Sequence, residues 1–123
     1  MDSTATRALG DYGERLAARF LVEQGLTLVE RNWRCARGEI DIVALDGDCL
    51  VVCEVKTRSS EAYGAPFEAV TWRKARRLGH LAHLWRDAHP HEPRGRGGLR
   101  IDVVSVLRVG PGPAVVSHLR GVQ

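Results

Sequence analysis

The sequence predicts an α/β domain in which two helices flank a central mixed β-sheet, with the element order α-β-β-β-α-β-β. Apolar residues recur at helical spacing in two segments, and β-branched or alternating runs occupy five others. A crossover helix between two strands returns the chain to the same sheet, which makes that sheet partly parallel. The 123 residues fit a single domain, 1–123, with its core at about 6–119.

The first helix is predicted over residues 6–24, where Leu16 and Phe20 belong to an apolar stripe at helical spacing. Gly10 and Gly13 lower the helix propensity of this segment. We therefore expect these glycines to allow another part of the chain to approach the helix closely.

Three strands are predicted to follow the helix. The turn between the second and third is an Asp-Gly-Asp hairpin signal. The ranges are 26–32, 39–45 and 49–57 for the strands, with turns at 34–38 and 46–48. Alternation along 39–45 predicts Ile40, Ile42 and Ala44 on one face and Glu39, Asp41 and Val43 on the other.

The second half of the chain is predicted to hold one helix and two strands. A loop at 58–66 precedes a helix at 67–88 whose apolar stripe includes Leu78 and Trp85. Residues 89–98 are rich in proline, glycine and arginine and are expected to form a mobile linker. Strands are predicted at 99–107 and 114–119.

Composition limits the class of protein. No apolar stretch is long enough to cross a bilayer, and the first residues lack a secretory signal, so we expect a cytoplasmic protein without a membrane partner. Three cysteines without a CxxC pair indicate reduced thiols. A net charge of +3 permits nucleic-acid binding without establishing it. Of the 18 basic residues only Lys56 and Lys74 are lysines.

The candidate chemistry lies on the second and third predicted strands. Glu54 and Lys56 are two residues apart and share a face, whereas Val55 points to the opposite face. If the chain turns at 46–48, Asp41 and Glu54 come within reach of one ion, and oxygen ligands favour Mg²⁺ or Mn²⁺. Carboxylates so close together repel one another, so Glu54→Ala is expected to stabilise the metal-free protein.

A solvated ion pair between Glu54 and Lys56 is the alternative interpretation, because short motifs of this kind are common. The pair follows Leu50-Val51-Val52-Cys53, a run typical of a buried central strand. A charged pair at that place favours the functional interpretation.

Asp41 on one strand, followed by Glu54-Val55-Lys56 on the next, resembles the motif of the PD-(D/E)xK nuclease superfamily. A longer pattern over about residues 10–106 resembles the YraN family, which is related to archaeal Holliday-junction resolvases. The superfamily resemblance implies a restriction-endonuclease-like core. Ile40 stands where the superfamily name has proline, and Cys53 and Ile101 stand where the YraN pattern often has aromatic residues. The matching motifs are Gly13-Glu14, Arg31-Asn32, Gly38-Glu39-Ile40-Asp41-Ile42-Val43, Glu54-Val55-Lys56-Thr57-Arg58, Gly64-Ala65-Pro66, Lys74 and Arg100-Ile101-Asp102-Val103-Val104.

The resemblance implies a role for each acidic residue and for the lysine. Asp41 and Glu54 are implied as metal ligands and Lys56 as the catalytic lysine, with the Val55 backbone carbonyl completing the metal site. Glu14 is implied as an auxiliary acid, and an ordinary exposed helix glutamate is the alternative. Glu39 either binds the metal through water or pairs with an arginine, and we favour the arginine.

Five basic residues are candidate contacts to nucleic-acid phosphates, which bind the backbone without reading sequence. A solvated helix face or a loop kept soluble by charge is the alternative for several of them. The candidates are Arg58, Lys74, Arg76, Arg77 and Arg96.

The function expected from these features is metal-dependent endonuclease activity on DNA, with branched or structured DNA as a candidate substrate. A nucleic-acid-binding module with weak or no cleavage activity and a non-catalytic subunit of a DNA-processing complex are the alternatives. A symmetric homodimer could present two sites to two strands.

Overall fold

The structure is a computed structural model that describes residues 3–59 and 71–122, with side chains from residue 7 onward. The predicted loop at 58–66, with Gly64-Ala65-Pro66, therefore lies almost wholly outside the described residues. The elements are α1 (Ser3–Glu23), β1 (Thr27–Cys35), β2 (Gly38–Asp46), β3 (Cys49–Arg58), α2 (Trp72–Ala88), β4 (Gly98–Leu107) and β5 (Val115–Leu119). The predicted α/β class and element order are confirmed.

The five strands form one mixed sheet in the order β1-β2-β3-β4-β5. The β1–β2, β2–β3 and β4–β5 pairs are antiparallel, whereas β3 and β4 are parallel. The parallel pair requires a crossover, and α2 lies in it. In the described part of the chain, no helix is both long enough and apolar enough to span a membrane.

Each helix covers one face of the sheet and has its own hydrophobic core. On the α1 face, Ala17 and Leu21 pack with Ile42 and other strand residues. On the α2 face, Leu81 and Trp85 belong to the second cluster. The central strands are buried on both faces, which explains the nearly continuous apolar run at the start of β3.

The second helix begins later than the sequence predicts. Thr71 has an extended backbone, with φ −100° and ψ 163°, and its side chain accepts a hydrogen bond from the Lys74 N–H. A threonine in this conformation caps a helix at its first turn, so a continuous helix from Phe67 is wrong. Residues 67–70 lie outside the described part of the chain.

The prediction that Ile40, Ile42 and Ala44 share a face is wrong at Ile40. Ile40 packs in the α2 cluster with Val43, whereas Ile42 and Ala44 pack in the α1 cluster. The β1–β2 register pairs the residues on either side of Asp41. The alternation of faces therefore changes at Asp41 without a shift in register, opposite Asn32, whose φ of 56° lies in the left-handed region.

Gly13 allows α1 to approach β3 closely. A Cβ atom at this position would overlap the Thr57 side chain, whereas one at Gly10 would meet nothing within 4 Å. The expectation of a close approach is therefore met at Gly13. It brings the neighbouring Glu14 to the end of β3.

The segment that was predicted to be a mobile linker is hydrogen bonded to its surroundings. Arg86 donates to the carbonyls of Gly95 at 2.5 Å and Gly98 at 2.7 Å. The Gly97 N–H donates to the Asp48 carbonyl at 2.9 Å. These bonds position the start of β4 beside the β2–β3 turn, while the mobility of the segment stays a prediction.

Candidate functional site

Asp41 lies where β2 separates from β3. The pairing of these strands extends from Asp46–Cys49 to Ile42–Cys53. One residue further along, Asp41 Oδ2 accepts a hydrogen bond from the Val55 backbone N–H at 2.8 Å. The carboxylate thus fixes β2 to the β3 backbone between Glu54 and Lys56.

The electrostatic surroundings of Asp41 oppose its ionisation. The pKa of the carboxyl is raised from 3.8 to about 6, mainly because burial removes solvent from the charged form. The Val55 N–H lowers the pKa, while the negative charges of Glu54, Glu14 and Glu39 raise it further. Asp41 is therefore a carboxyl whose negative charge lacks sufficient compensation.

A polar cavity of about 220 Å³ opens beside Asp41, and we call it the Asp41 cavity. Helix α1 and strands β1, β2 and β3 all contribute to its walls. The lining residues that matter here are Gly10, Glu14, Asn32, Glu39, Asp41 and Thr57.

Glu14 is buried, with a residue exposure of 8%. Its Oε1 atom accepts a hydrogen bond from Arg31 Nε at 3.2 Å. The alternative of an ordinary exposed helix glutamate is therefore wrong. Glu14 lies in the Asp41 cavity, where the auxiliary acid was expected.

Glu39 also lines the Asp41 cavity but is paired with an arginine. Arg34 Nε donates to Glu39 Oε2 at 2.9 Å, and about half of the Glu39 side chain is exposed. This arrangement matches the interpretation that we favoured from the sequence.

Glu54 lies in a second group of charges, which we call the Glu54 cluster. Lys74 Nζ from α2 lies 3.2 Å from Glu54 Oε1, and Lys56 Nζ lies 3.6 Å from the same atom. The two lysines of the chain therefore converge on one carboxylate. The sequence did not predict the pairing with Lys74, although the scarcity of lysine was a signal for it.

The strand alternation separates the two charge groups. Glu54 and Lys56 follow Leu50 and Val52 on the α2 face, whereas Val55 packs against the α1 cluster. Asp41 opens instead into the cavity beside α1. Asp41 and Glu54 are therefore turned toward different sides at the junction of β2 and β3, with Glu54 beside the lysines.

Lys56 has a perturbed ionisation equilibrium. Its pKa is lowered from 10.5, first by burial and then by the neighbouring Lys74, while Glu54 acts in the opposite direction. Burial and a second cation both disfavour the protonated amine. Lys56 is therefore a more easily deprotonated lysine than one on an open surface.

The candidate phosphate contacts do not form a single group. Lys74 and Arg77 line a surface concavity of about 300 Å³ at the first turns of α2, together with Thr71 and Arg73. Arg76 points elsewhere, with its guanidinium carbon 5.6 Å from the centre of the Trp72 ring.

Arg58 and Arg96 complete the set of predicted contacts. The carbonyl of Arg58, at the end of β3, accepts a hydrogen bond from the Arg108 N–H. Arg96 is exposed, and its guanidinium donates to the carbonyls of His89 and Glu92. It lies two residues before Gly98, which pairs with Cys49, and Cys49 is five residues, or about 16 Å along β3, from Glu54.

Asn32 was missed as a cavity residue. It has a φ of 56°, in the left-handed region, and it lines the Asp41 cavity from β1. Asparagine tolerates this conformation better than most residues, but a single sequence gives no signal that a strand residue adopts it.

Asp102 is buried and holds a network of partners. It accepts hydrogen bonds from Arg100 Nε at 2.9 Å and from the Gly121 N–H at 3.0 Å, and His118 Nε2 lies 2.8 Å away. These bonds lower the pKa of Asp102 against the effect of burial. Asp102 thus joins the chain end to β4, which is a structural role.

The structure thus defines an α/β domain with a candidate functional site of acids and lysines at the point where two central strands separate. The chain belongs to the uncharacterised protein family UPF0102, whose model matches residues 13–106. The resemblance to the YraN family is thereby confirmed.

Relatives in this family extend over nearly the whole chain. The chain is 54% identical over 121 residues to a UPF0102 protein of Kineococcus radiotolerans, covering 97% of this chain and 96% of the relative. It is 56% identical over 119 residues to one from Streptomyces griseus, covering 97% and 98%. A relative from a Nocardioides species is also 56% identical, over 116 residues, covering 94% and 91%.

Proposed function

We propose that this protein is a divalent-cation-dependent nuclease of the PD-(D/E)xK type that hydrolyses phosphodiester bonds in DNA. The observation that carries the proposal is the Asp41–Val55 hydrogen bond of 2.8 Å. It fixes the acid of β2 at the backbone that carries Glu54 and Lys56. Branched or structured DNA is the candidate substrate.

The carboxylate and carbonyl oxygens near the junction of β2 and β3 are the type of donor that Mg²⁺ and Mn²⁺ prefer, which supports the proposal. Residues 3–59 and 71–122 contain no group of three His, Cys, Asp or Glu side chains placed to hold an ion. Mg²⁺ does not need such a group, because it commonly binds through one or two carboxylates and keeps several waters. The raised pKa of Asp41 belongs to a partly buried carboxyl whose charge a cation would stabilise.

In this proposal, Asp41 and Glu54 hold the cation, with the Val55 carbonyl as a further ligand. The bound ion supplies Lewis-acid polarisation of the phosphodiester and a lower pKa for a bound water. Glu14 adds negative charge to the Asp41 cavity, and Glu39, which also lines it, is paired with Arg34.

Lys56 supplies positive charge near the phosphoryl group that reacts. Hydrolysis joins a water oxygen to phosphorus and breaks one ester P–O bond, and the leaving oxygen finally takes up a proton. The Lys56 ammonium lies on the strand position next to Val55 and can neutralise charge that develops on the phosphoryl oxygens. Lys74 and Arg77 then bind flanking phosphates.

A nucleic-acid-binding module without cleavage activity is the second candidate. The observation that favours it is the pairing of Glu54 with two lysines, which leaves this acid with counter-charges of its own. A binding module needs the lysines and arginines but no cation.

Cleavage assays separate the two candidates. Labelled four-way, flap and duplex DNA are incubated with the protein and Mg²⁺, Mn²⁺ or EDTA, using wild type, Asp41→Asn and, as a matched control, Glu92→Gln. Glu92 is paired with Arg94 in the segment before β4. We expect cutting with a cation by wild type and the control but not by Asp41→Asn. DNA binding without cutting under every cation would support the binding module.

A further inference from the structure

Lys74, on α2, lies closer to the Glu54 carboxylate than Lys56 does, on β3. Lys74 Nζ lies 3.2 Å from Glu54 Oε1, compared with 3.6 Å for Lys56. The side chains of Lys74 and Glu54 are only 20% and 16% exposed. The contact is therefore a partly desolvated ion pair rather than one between solvated surface groups.

The position of Lys74 is fixed by the start of α2. Its backbone N–H donates to Thr71 Oγ1 at 3.2 Å, which completes the helix cap. The residue thus presents its ammonium from a defined point on the first turn. In a chain whose other 16 basic residues are arginines, both lysines are at this one carboxylate.

An ammonium and a divalent cation are alternative partners for the same carboxylate. A partly buried carboxylate needs a counter-charge, and Lys74 and Lys56 supply two. A cation that binds Glu54 must replace at least part of this pairing. Two ammonium groups would then remain without the carboxylate to compensate them, and that of Lys74 lines the concavity together with Arg73 and Arg77.

We propose that Lys74 couples cation binding to phosphate binding: it holds Glu54 in the cation-free protein and contacts a DNA phosphate once a cation engages Glu54. The inference rests on the proposed function, because it needs the cation at Glu54. By linkage, the cation then tightens DNA binding and DNA tightens cation binding by the same factor. Lys74 is a substrate-binding residue in this scheme.

The test measures Mn²⁺ affinity in the absence of DNA. Mn²⁺ is titrated calorimetrically into the full chain as wild type, Lys74→Met and Arg77→Met. Arg77 is the matched control, because it lines the same concavity and removing it also deletes one positive charge. Removing a competing ion pair worth about 1 kcal/mol is expected to tighten Mn²⁺ binding about fivefold in Lys74→Met, and clearly less in Arg77→Met.

The second arm measures the coupling. The affinity for a cleavage-resistant phosphorothioate duplex is determined by fluorescence anisotropy with Mn²⁺ and with EDTA. We expect Mn²⁺ to tighten DNA binding about tenfold in wild type and less than twofold in Lys74→Met. Lys74→Arg keeps the charge and provides a second variant, with intermediate coupling expected, should Lys74→Met fold poorly.

The outcomes separate this inference from the proposed function. Wild type that binds Mn²⁺ and cuts DNA, with unchanged Mn²⁺ affinity and coupling in Lys74→Met, would overturn the inference alone. Equal tightening in Lys74→Met and Arg77→Met would also overturn it, since charge alone would then explain the effect. Wild type that binds no divalent cation would overturn both.

Discussion

Asp41 Oδ2 accepts a hydrogen bond from the Val55 N–H at 2.8 Å, one residue beyond the last β2–β3 pair. The bond connects two strands where their backbone pairing has ended. It also holds a partly buried carboxyl near three other acids, whose charges raise its pKa together with the loss of solvent. The hydrogen bond therefore holds the Asp41 carboxyl in a defined position, where its negative charge has a cost in electrostatic free energy.

This cost predicts a pH-dependent effect of Asp41→Asn. The folded-state pKa of Asp41 is raised from 3.8 to about 6, so its contribution to stability is present below pH 4 and is lost as pH rises through 6. Asparagine keeps an oxygen that can accept from Val55 but carries no charge.

We expect Asp41→Asn to match wild type near pH 4 and to exceed its free energy of unfolding by up to about 3 kcal/mol at pH 8, at about 1.4 kcal/mol per pKa unit. Urea denaturation in EDTA across this range is the measurement. Glu23→Gln, at the exposed end of α1, is the control and should show no such trend. A constant difference between Asp41→Asn and wild type from pH 4 to 8 would count against the buried-charge account.

Glu54→Ala is expected to destabilise the cation-free protein. The sequence suggested the opposite, because it placed Glu54 among repelling acids. In the structure Glu54 lies between Lys56 and Lys74, so its removal leaves two partly buried ammonium groups without their counter-charge. We expect a loss of about 1–3 kcal/mol in free energy of unfolding.

A double-mutant cycle checks the cause of this loss. Glu54→Ala combined with Lys74→Met should cost less than the sum of the single changes, because the pair is then removed together. Strict additivity in urea denaturation would show that the two side chains do not interact.

Gly13→Ala is expected to lower stability, whereas Gly10→Ala is expected to raise it. Both glycines lie in α1, but a methyl group at Gly13 overlaps Thr57 and one at Gly10 meets open space. Overpacking costs about 1–3 kcal/mol, and alanine gains up to about 1 kcal/mol over glycine in a helix. Thermal unfolding of both variants is the measurement, and equal shifts would contradict the close approach of α1 to β3.

Lys56→Met is expected to lose DNA cleavage while keeping its fold and much of its DNA affinity. In the proposed mechanism the Lys56 ammonium stabilises negative charge on the reacting phosphoryl group, whereas several other basic side chains bind the DNA backbone. Cleavage rate and anisotropy are measured on one preparation, with circular dichroism as the folding control. Cleavage at the wild-type rate would remove Lys56 from the proposed mechanism.

The sequence was sufficient for the architecture because the relevant signals are local. The stripe of α2, including Leu78 and Trp85, and the apolar run of β3 reflect burial against neighbours that any α/β arrangement supplies. The Asp-Gly-Asp turn predicts the β2–β3 hairpin. Glu54 and Lys56 share a face because side chains along a strand alternate between its two faces.

The predictions from sequence failed where contacts between distant parts of the chain override the local residue pattern. The alternation of β2 changes at Asp41, so that Ile40 packs on the α2 face, and the left-handed Asn32 lies opposite on the neighbouring strand. Glu54 pairs with Lys74 because α2 packs across β3. The two residues are far apart in the sequence, and hydrophobic periodicity does not predict contacts between such distant residues. The site was therefore predicted as a set of residues but not as two charge groups.

Divalent-cation binding to wild type and Asp41→Asn, measured by calorimetric titration of Mn²⁺ at pH 7.5, tests the central claim most directly. The account predicts saturable binding to wild type that is lost or weakened at least tenfold in Asp41→Asn, with Glu92→Gln unchanged. Equal binding by wild type and Asp41→Asn, or none by either, would contradict a cation site at the junction of β2 and β3.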